Sequence, residues 1–65
     1  MIKITKKQEL AFMKARHPRM RYFKNSDSWN SGNGHGMTSG EAKTEARAEI
    51  ELAYSGLTKM PVWAQ

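Results

Sequence analysis

The apolar residues of this chain recur at helical spacing in two segments, one near each end. The second segment is the clearer one, because Thr38 and Glu41 form a capping box at its start and Gly56 suits a C-terminal cap. The spacing predicts a helix from residue 39 to about residue 55. Its apolar face consists of Ala42, Ala46, Ile50, Ala53 and Tyr54.

The first segment predicts a helix over Lys6–Arg16. The helix ends there because Pro18 follows, and the residue before a proline is pushed out of the α region. Leu10 and Met13 share a face of this helix, whereas Phe12 points away from them. We therefore expect one side of the helix to touch the core and Phe12 to face a partner.

Between the helices, residues 19–24 alternate basic and apolar side chains and are the best strand candidate. Residues 25–28 predict a turn, because short polar side chains bond their own backbone there. We expect Trp29 to lie in a short return strand that closes a hairpin against Tyr22 or Phe23. Residues 30–36 contain several glycines and predict a loop.

Together these elements predict a small single α+β domain over residues 1–65. A helix, a short β-hairpin and a second helix are followed by an extended C-terminal tail, packed back through Leu57, Val62 or Trp63. The stretch between the helices is short, so we expect two strands there. A chain of this size buries only about 60% of the surface that its unfolded form exposes, which leaves a marginal core.

Charge is distributed unevenly along the chain. Residues 1–24 carry eight Lys or Arg and one acid, a sum of +7, whereas residues 25–65 sum to −2. One sign of charge on one segment attracts anionic partners. Cysteine is absent, which excludes disulfides and zinc–thiolate sites and fits the reducing cytoplasm, the location that we predict.

The basic segment predicts a surface that contacts the phosphates of RNA or DNA, because Lys and Arg that neutralise phosphates release counterions. Tyr22 and Phe23 lie among these cations and offer stacking platforms for unpaired bases. Two alternatives stay open: a solvated basic face with both rings in the core, or a patch for an acidic protein. The predicted nucleic-acid-binding residues are Lys14, Arg16, Arg19, Arg21 and Lys24, supported by Lys43.

The glycine-rich stretch 32–36 runs into the second helix, where backbone amides favour an anion. The competing interpretation is a flexible connection capped by Thr38. We favour the connection, because the carboxylate of Glu41 would repel an anion at this helix end.

Residues 34–48 resemble the C-terminal helix motif of double-stranded-RNA-binding domains, in which a Gly-x-Gly-x-Ser/Thr loop enters a helix that packs small alanines on a sheet. The resemblance implies an RNA partner. Ser39 and Gly40 stand where that family has lysines, so only Lys43 carries over as a phosphate contact. The matching residues are Gly34, Gly36, Thr38, Glu41, Ala42, Lys43, Ala46 and Ala48.

A protein-binding role is the main alternative. The chain would then be a small inhibitor or regulator of phage or bacterial type, acting in host takeover or against host defence by occluding a partner's functional site. Methionines and exposed aromatic rings would form its adaptable surface. The predicted partner-binding residues are Phe12, Tyr22 and Trp63.

A third class is a structural or assembly protein, such as a homodimer. It requires the basic segment of one copy to meet an acidic ridge on the second helix of another copy. That ridge consists of Glu41, Glu45 and Glu49.

The sequence predicts no catalysis, no cofactor and no metal site. Its serines lack a nucleophile-elbow context, and its helical glutamates share one face instead of opposing each other. His17, His35 and Asp27 match no metal-ligand spacing. No stretch approaches the roughly 20 apolar residues that a membrane span needs.

Overall fold

Two helices cover one face of a three-stranded antiparallel sheet. The computed structural model describes residues 2–32 and 34–65, so Met1 and Asn33, the latter part of the predicted loop, lie outside the description. The order of elements confirms a small single α+β domain. They are α1 (Lys6–Arg16), β1 (Arg21–Phe23), β2 (Ser28–Asn30), β3 (Gly36–Thr38), α2 (Ser39–Tyr54) and a C-terminal 3-10 turn (Val62–Ala64).

The sheet has one strand more than the predicted hairpin. β1 pairs with β2 so that Tyr22, one of the two aromatic residues expected to meet Trp29, lies opposite it, and β3 then places Met37 opposite Trp29. The prediction of two strands is wrong because β3 spans only three residues and follows a glycine-rich stretch, which leaves no alternating pattern to read. β1 is also shorter than the predicted strand over residues 19–24.

The predicted caps of α2 are present. The backbone N–H of Glu41 donates to Thr38 Oγ1 at 3.1 Å, and the backbone N–H of Thr38 donates to Glu41 Oε1 at 2.9 Å. At the other end, Gly56 adopts a φ of +84° and donates its N–H to the carbonyl of Ala53. A glycine is favoured there because other residues rarely adopt a left-handed backbone.

The buried core joins both helices, the central strand and the N-terminal segment. The predicted face of α2 is confirmed at Ala42, Ala46 and Ile50 but is wrong at Tyr54, which is exposed because it ends the helix beyond the last buried position. The buried apolar residues are Ile4, Phe12, Met13, Trp29, Ala42, Ala46 and Ile50.

α1 buries a different face from the predicted one. Glu9, Phe12 and Met13 are buried at positions i, i+3 and i+4, whereas Leu10 is 44% exposed. The predicted exposure of Phe12 is therefore wrong, since its ring is only 2% exposed. A charged residue occupies the middle of the buried face, so a search for apolar periodicity alone missed that face.

The C-terminal tail returns to α1 through Trp63, whose ring meets that of Phe12 edge-on with 5.1 Å between centroids. Pro61 is also buried, and Leu57 and Val62 remain exposed. Of the three tail residues expected to pack back, Trp63 is therefore the one that does so. The tail is not wholly extended, because it contains the 3-10 turn.

Candidate nucleic-acid interface

The outer face of the sheet carries exposed basic and aromatic side chains. Side chains alternate between the two faces of a strand, so Tyr22 packs inward against Trp29 while Arg21 and Phe23 lie on the other face. Arg21 lies opposite Asn30 of β2. The helices occupy the inner side, which leaves this outer face open.

A groove of about 390 Å³ lies on this outer face and is called the sheet groove below. Two guanidinium groups and one phenyl ring line it together with polar groups of β2 and the loop that follows, and no carboxylate within residues 2–32 and 34–65 does so. Its lining residues are Arg19, Arg21, Phe23, Asn30, Ser31 and Gly32.

The predicted nucleic-acid-binding cations divide into paired and unpaired groups. Lys14, Arg19, Arg21 and Lys24 are exposed, and none of them forms an ion pair with any residue that the structure describes. Arg16 differs, because its guanidinium binds both carboxylate oxygens of Glu49 and so joins α1 to α2. The structure therefore places Arg19 and Arg21 together on the sheet groove without ion pairs, whereas Arg16 lines an adjoining groove with Arg19 and is paired with Glu49.

Lys43 lines a second basic groove of about 530 Å³, on the helical side of the molecule. It is called the helix groove below. Lys3 of the N-terminal segment and Arg47, one turn further along α2, line it as well. Within the described ranges, no carboxylate lines this groove and none of the three cations is in an ion pair. The sequence reasoning missed Lys3 and Arg47, although the i, i+4 spacing of Lys43 and Arg47 was visible.

A third groove of about 360 Å³ adjoins the sheet groove and shares Arg19 and Ser31 with it. His17 and His35 both line it, although they are far apart in sequence. The shared residues make one continuous surface that runs from the outer face of the sheet to the end of α1. It is longer than the sheet groove alone.

The acidic ridge of α2 faces α1 of the same chain. Glu49 binds Arg16, and Glu45 Oε1 lies 3.2 Å from His17 Nε2. Glu41 is engaged in the N-terminal cap of α2. Two of the three glutamates of this ridge thus have basic partners within one chain, whereas Arg19, Arg21 and Lys24 have no ion pair in the described residues.

The predicted partner-binding aromatics do not form an exposed surface. Phe12 is buried, and Trp63 packs on it while donating its indole N–H to Glu49 Oε1 at 3.1 Å. Tyr22 is half-buried, with its ring 5.2 Å from that of Trp29. The exposed ring of this region is Phe23, at 49% exposure.

A buried carboxylate that the sequence reasoning missed joins α1 to β2 and to the start of α2. Glu9 accepts hydrogen bonds from Trp29 Nε1 at 2.7 Å, Ser39 Oγ at 2.8 Å and Lys6 Nζ at 3.2 Å. These contacts tie α1 to β2 and to the start of α2. The sequence gives little sign of this buried position, since a glutamate in an amphipathic helix normally lies on the solvent-exposed face.

Lys6 extends this network to the β1–β2 turn. Its ammonium lies 4.5 Å from the ring centroid of Tyr22 and 3.1 Å from Asp27 Oδ1, and the Tyr22 hydroxyl donates to the same oxygen. Burial lowers the pKa of Lys6, but hydrogen bonds with Asp27, Tyr22 and Glu9 outweigh it and raise the pKa above its usual value. Because Tyr22 is anchored inward, its neighbours along β1 must face outward.

The glycine-rich stretch does not run directly into α2, because β3 lies between them. The first amides of the helix are also occupied: Ser39 N–H donates to the Asp27 carbonyl at 3.1 Å, and Glu41 N–H donates to Thr38. These two amides at the start of α2 are therefore hydrogen-bonded within the chain. It matches the capped connection that we favoured over an anion site.

No protein-family model matches the chain, and no curated protein or solved structure shows significant similarity to it. In the part of the chain that the structure describes, no group of three or more His, Asp or Glu side chains is arranged to hold a metal ion. Neither helix, over the same residues, has the length and apolar character needed to cross a membrane.

Proposed function

We propose that the protein is a small nucleic-acid-contacting module, a binding protein and not an enzyme, that holds phosphates on the outer face of its sheet. The observation that carries this proposal is the sheet groove, where Arg19 and Arg21 stand exposed without ion-pair partners in the described chain. Guanidinium groups match the geometry of phosphate oxygens and release counterions when they bind them.

The distribution of charge supports the same partner. Of the acids of α2, Glu49 is paired with Arg16 and Glu45 lies beside His17, and within the described residues none is paired with a cation at position 14, 19, 21 or 24. The unpaired cations at positions 14, 19, 21 and 24 therefore create a positive potential toward solvent. The absence of cysteine is compatible with a cytoplasmic location, which we include in the proposal.

The helix groove gives the proposal secondary support. Lys43 is the residue that the resemblance to double-stranded-RNA-binding domains assigns to phosphate contact, and here Lys3 and Arg47 accompany it. A sheet of three strands between two helices is also compatible with that resemblance. The resemblance implies RNA, whereas the grooves themselves fit the phosphates of either nucleic acid.

A salt titration of binding to RNA and DNA oligonucleotides tests the proposal. If about four cations reach phosphates, log affinity for duplex DNA falls with log salt at a slope of about −3 to −4. Arg19→Gln with Arg21→Gln should weaken binding and reduce the slope by about two. Lys7→Gln with Lys59→Gln removes the same charge elsewhere and should leave the slope nearly unchanged. Absence of binding at low salt, or equal losses in both double variants, would contradict the proposal.

The second candidate function is the protein-binding inhibitor or regulator of phage or bacterial type, acting by occlusion of a partner's site. Exposed apolar side chains at the C-terminal end favour it: Leu57 is 74% exposed and Val62 is 84% exposed. Such side chains are typical of protein contacts when they form a patch. Leu57→Ser with Val62→Ser would abolish binding of a protein target and spare binding to nucleic acid, whereas the arginine variants would do the reverse.

A further inference from the structure

We propose that the sheet groove binds an unpaired base, stacked on the ring of Phe23, so that the preferred ligand is single-stranded nucleic acid. This inference rests on the proposed function, because Arg21, with Arg19 beyond it, must hold the phosphates that adjoin that base. It specifies single-stranded over double-stranded nucleic acid, a distinction that phosphate contacts alone do not make.

The ring of Phe23 is open to solvent because its neighbours across the sheet are small. The strand register places Phe23 opposite Ser28 of β2, and Ser28 opposite Thr38 of β3. Neither side chain is large enough to cover a phenyl ring, and the ring is 49% exposed. Base–aromatic stacking requires such an uncovered face and tolerates any base, since every base has a π-face.

The strand also sets the spacing between the ring and the nearest cation. Arg21 and Phe23 are two residues apart on one face of β1, which corresponds to about 6.7 Å along a strand. Tyr22 between them is held inward by Trp29, Asp27 and Lys6. The ring and the guanidinium are therefore presented side by side on a rigid element, suited to a base and its adjoining phosphate.

Asn30 adds a hydrogen-bonding group to the same groove. Its Oδ1 accepts from the backbone N–H of Gly32 at 2.6 Å, which fixes the amide and leaves its Nδ2 group as a donor. The described chain provides no hydrogen-bond acceptor for that group. Opposite Asn30 on β3 stands Gly36, so β3 contributes no side chain here and the Asn30 amide itself lies over this glycine. A base carbonyl beside Phe23 would find a donor here.

A duplex cannot use the ring in this way. Its bases are stacked on one another and present only their edges in the grooves, so Phe23 would have no free base face to contact. Duplex binding would then rest on phosphates alone, while a single strand would gain the stacking contribution in addition.

The test compares oligothymidine with an abasic sugar–phosphate strand of the same length, both at low salt. Stacking of one base predicts that the wild-type protein binds oligothymidine about 5- to 150-fold more tightly than the abasic strand. Phe23→Leu should reduce oligothymidine affinity to the abasic level without changing abasic affinity, and Phe23→Tyr should retain the preference. Thermal unfolding of each variant verifies that an exposed strand position tolerates the change.

The outcomes separate this inference from the proposed function. Equal affinity for the two strands, with loss of both in Arg19→Gln with Arg21→Gln, would overturn the base-stacking inference and leave phosphate binding intact. A preference for oligothymidine that survives in Phe23→Leu would also overturn it. Failure of the wild-type protein to bind either strand or a duplex would refute both proposals together.

Discussion

The carboxylate of Glu9 accepts a hydrogen bond from the indole N–H of Trp29, 2.7 Å away, and both side chains are buried. The same carboxylate accepts from Ser39 and Lys6, so one charged side chain of α1 joins β2 to the start of α2. Buried charges are tolerated where hydrogen bonds satisfy them, and this one has three donors. The small domain thus uses a polar group as part of its core.

Removal of this carboxylate should unfold or nearly unfold the protein. Glu9→Ala leaves the buried N–H of Trp29 and hydroxyl of Ser39 without an acceptor, and we expect a loss of about 3–5 kcal/mol in the free energy of unfolding. Glu9→Gln keeps one acceptor oxygen and should lose about 1–3 kcal/mol. Urea denaturation followed by the fluorescence of Trp29 and Trp63 measures both losses. Wild-type stability in Glu9→Ala would show that the network contributes little.

The second prediction concerns the apolar face of α2. Ile50→Ala should cost about 2–5 kcal/mol, because Ile50 is buried in the shared core and its truncation leaves a cavity. Leu52→Ala, two residues further on and 45% exposed, is the matched control and should cost less than about 1 kcal/mol. Thermal midpoints of the two variants should therefore differ clearly, and equal midpoints would contradict the helix orientation.

The N-terminal cap of α2 provides a third prediction. Thr38→Ala removes the acceptor for the Glu41 amide and should lose about 1 kcal/mol of stability. Affinity for nucleic acid, measured where the variant is folded, should be unchanged, because Thr38 does not line the sheet groove. A folded variant that no longer binds would instead indicate that the start of α2 contacts the ligand.

The fourth prediction is a pH dependence through Glu49. Hydrogen bonds from Arg16 hold the pKa of Glu49 below its usual value of 4.5; partial burial opposes this effect, and the Trp63 N–H adds to it. A carboxylate with a lowered folded-state pKa stabilises the fold above its unfolded pKa, and this contribution is lost as pH falls through the folded value.

Unfolding free energies measured from about pH 7 to about pH 3 should therefore fall more steeply for wild type than for Glu49→Gln. Asp27, whose pKa is lowered by hydrogen bonds from Tyr22 and then Lys6, contributes with the same sign in both proteins and cancels in the comparison. Parallel pH profiles would contradict a stabilising role for the contact between Arg16 and Glu49.

The elements with strong local signals could be predicted from the sequence. Both helices follow from capping residues, from Pro18 and from the alanine spacing of α2, and the pairing of the first two strands follows from alternation beside a turn. These signals act between neighbours in the chain, so no tertiary information is needed to read them.

The features that depend on distant contacts could not be predicted. Glu9 is buried because Trp29 and Ser39 supply hydrogen-bond donors from other elements. Phe12 lies on the same face of α1 as Glu9 and is therefore buried with it. β3 is defined by its pairing with β2 and not by its own pattern. The candidate site was accordingly anticipated only in part: Arg19 and Arg21, both named from the sequence, line the sheet groove, while the choice between the rings of Tyr22 and Phe23 required the register of the sheet.

Mapping of backbone-amide shifts by NMR during titration with oligothymidine tests most directly whether the outer face of the sheet is the binding surface. The largest saturable changes should fall on residues 19–23 and 30–32, which line or border the sheet groove. Small changes are expected for residues 57–64, where a protein partner would dock. Unchanged amides in 19–23 and 30–32 at saturating oligonucleotide would contradict the account, wherever else in the chain changes occurred.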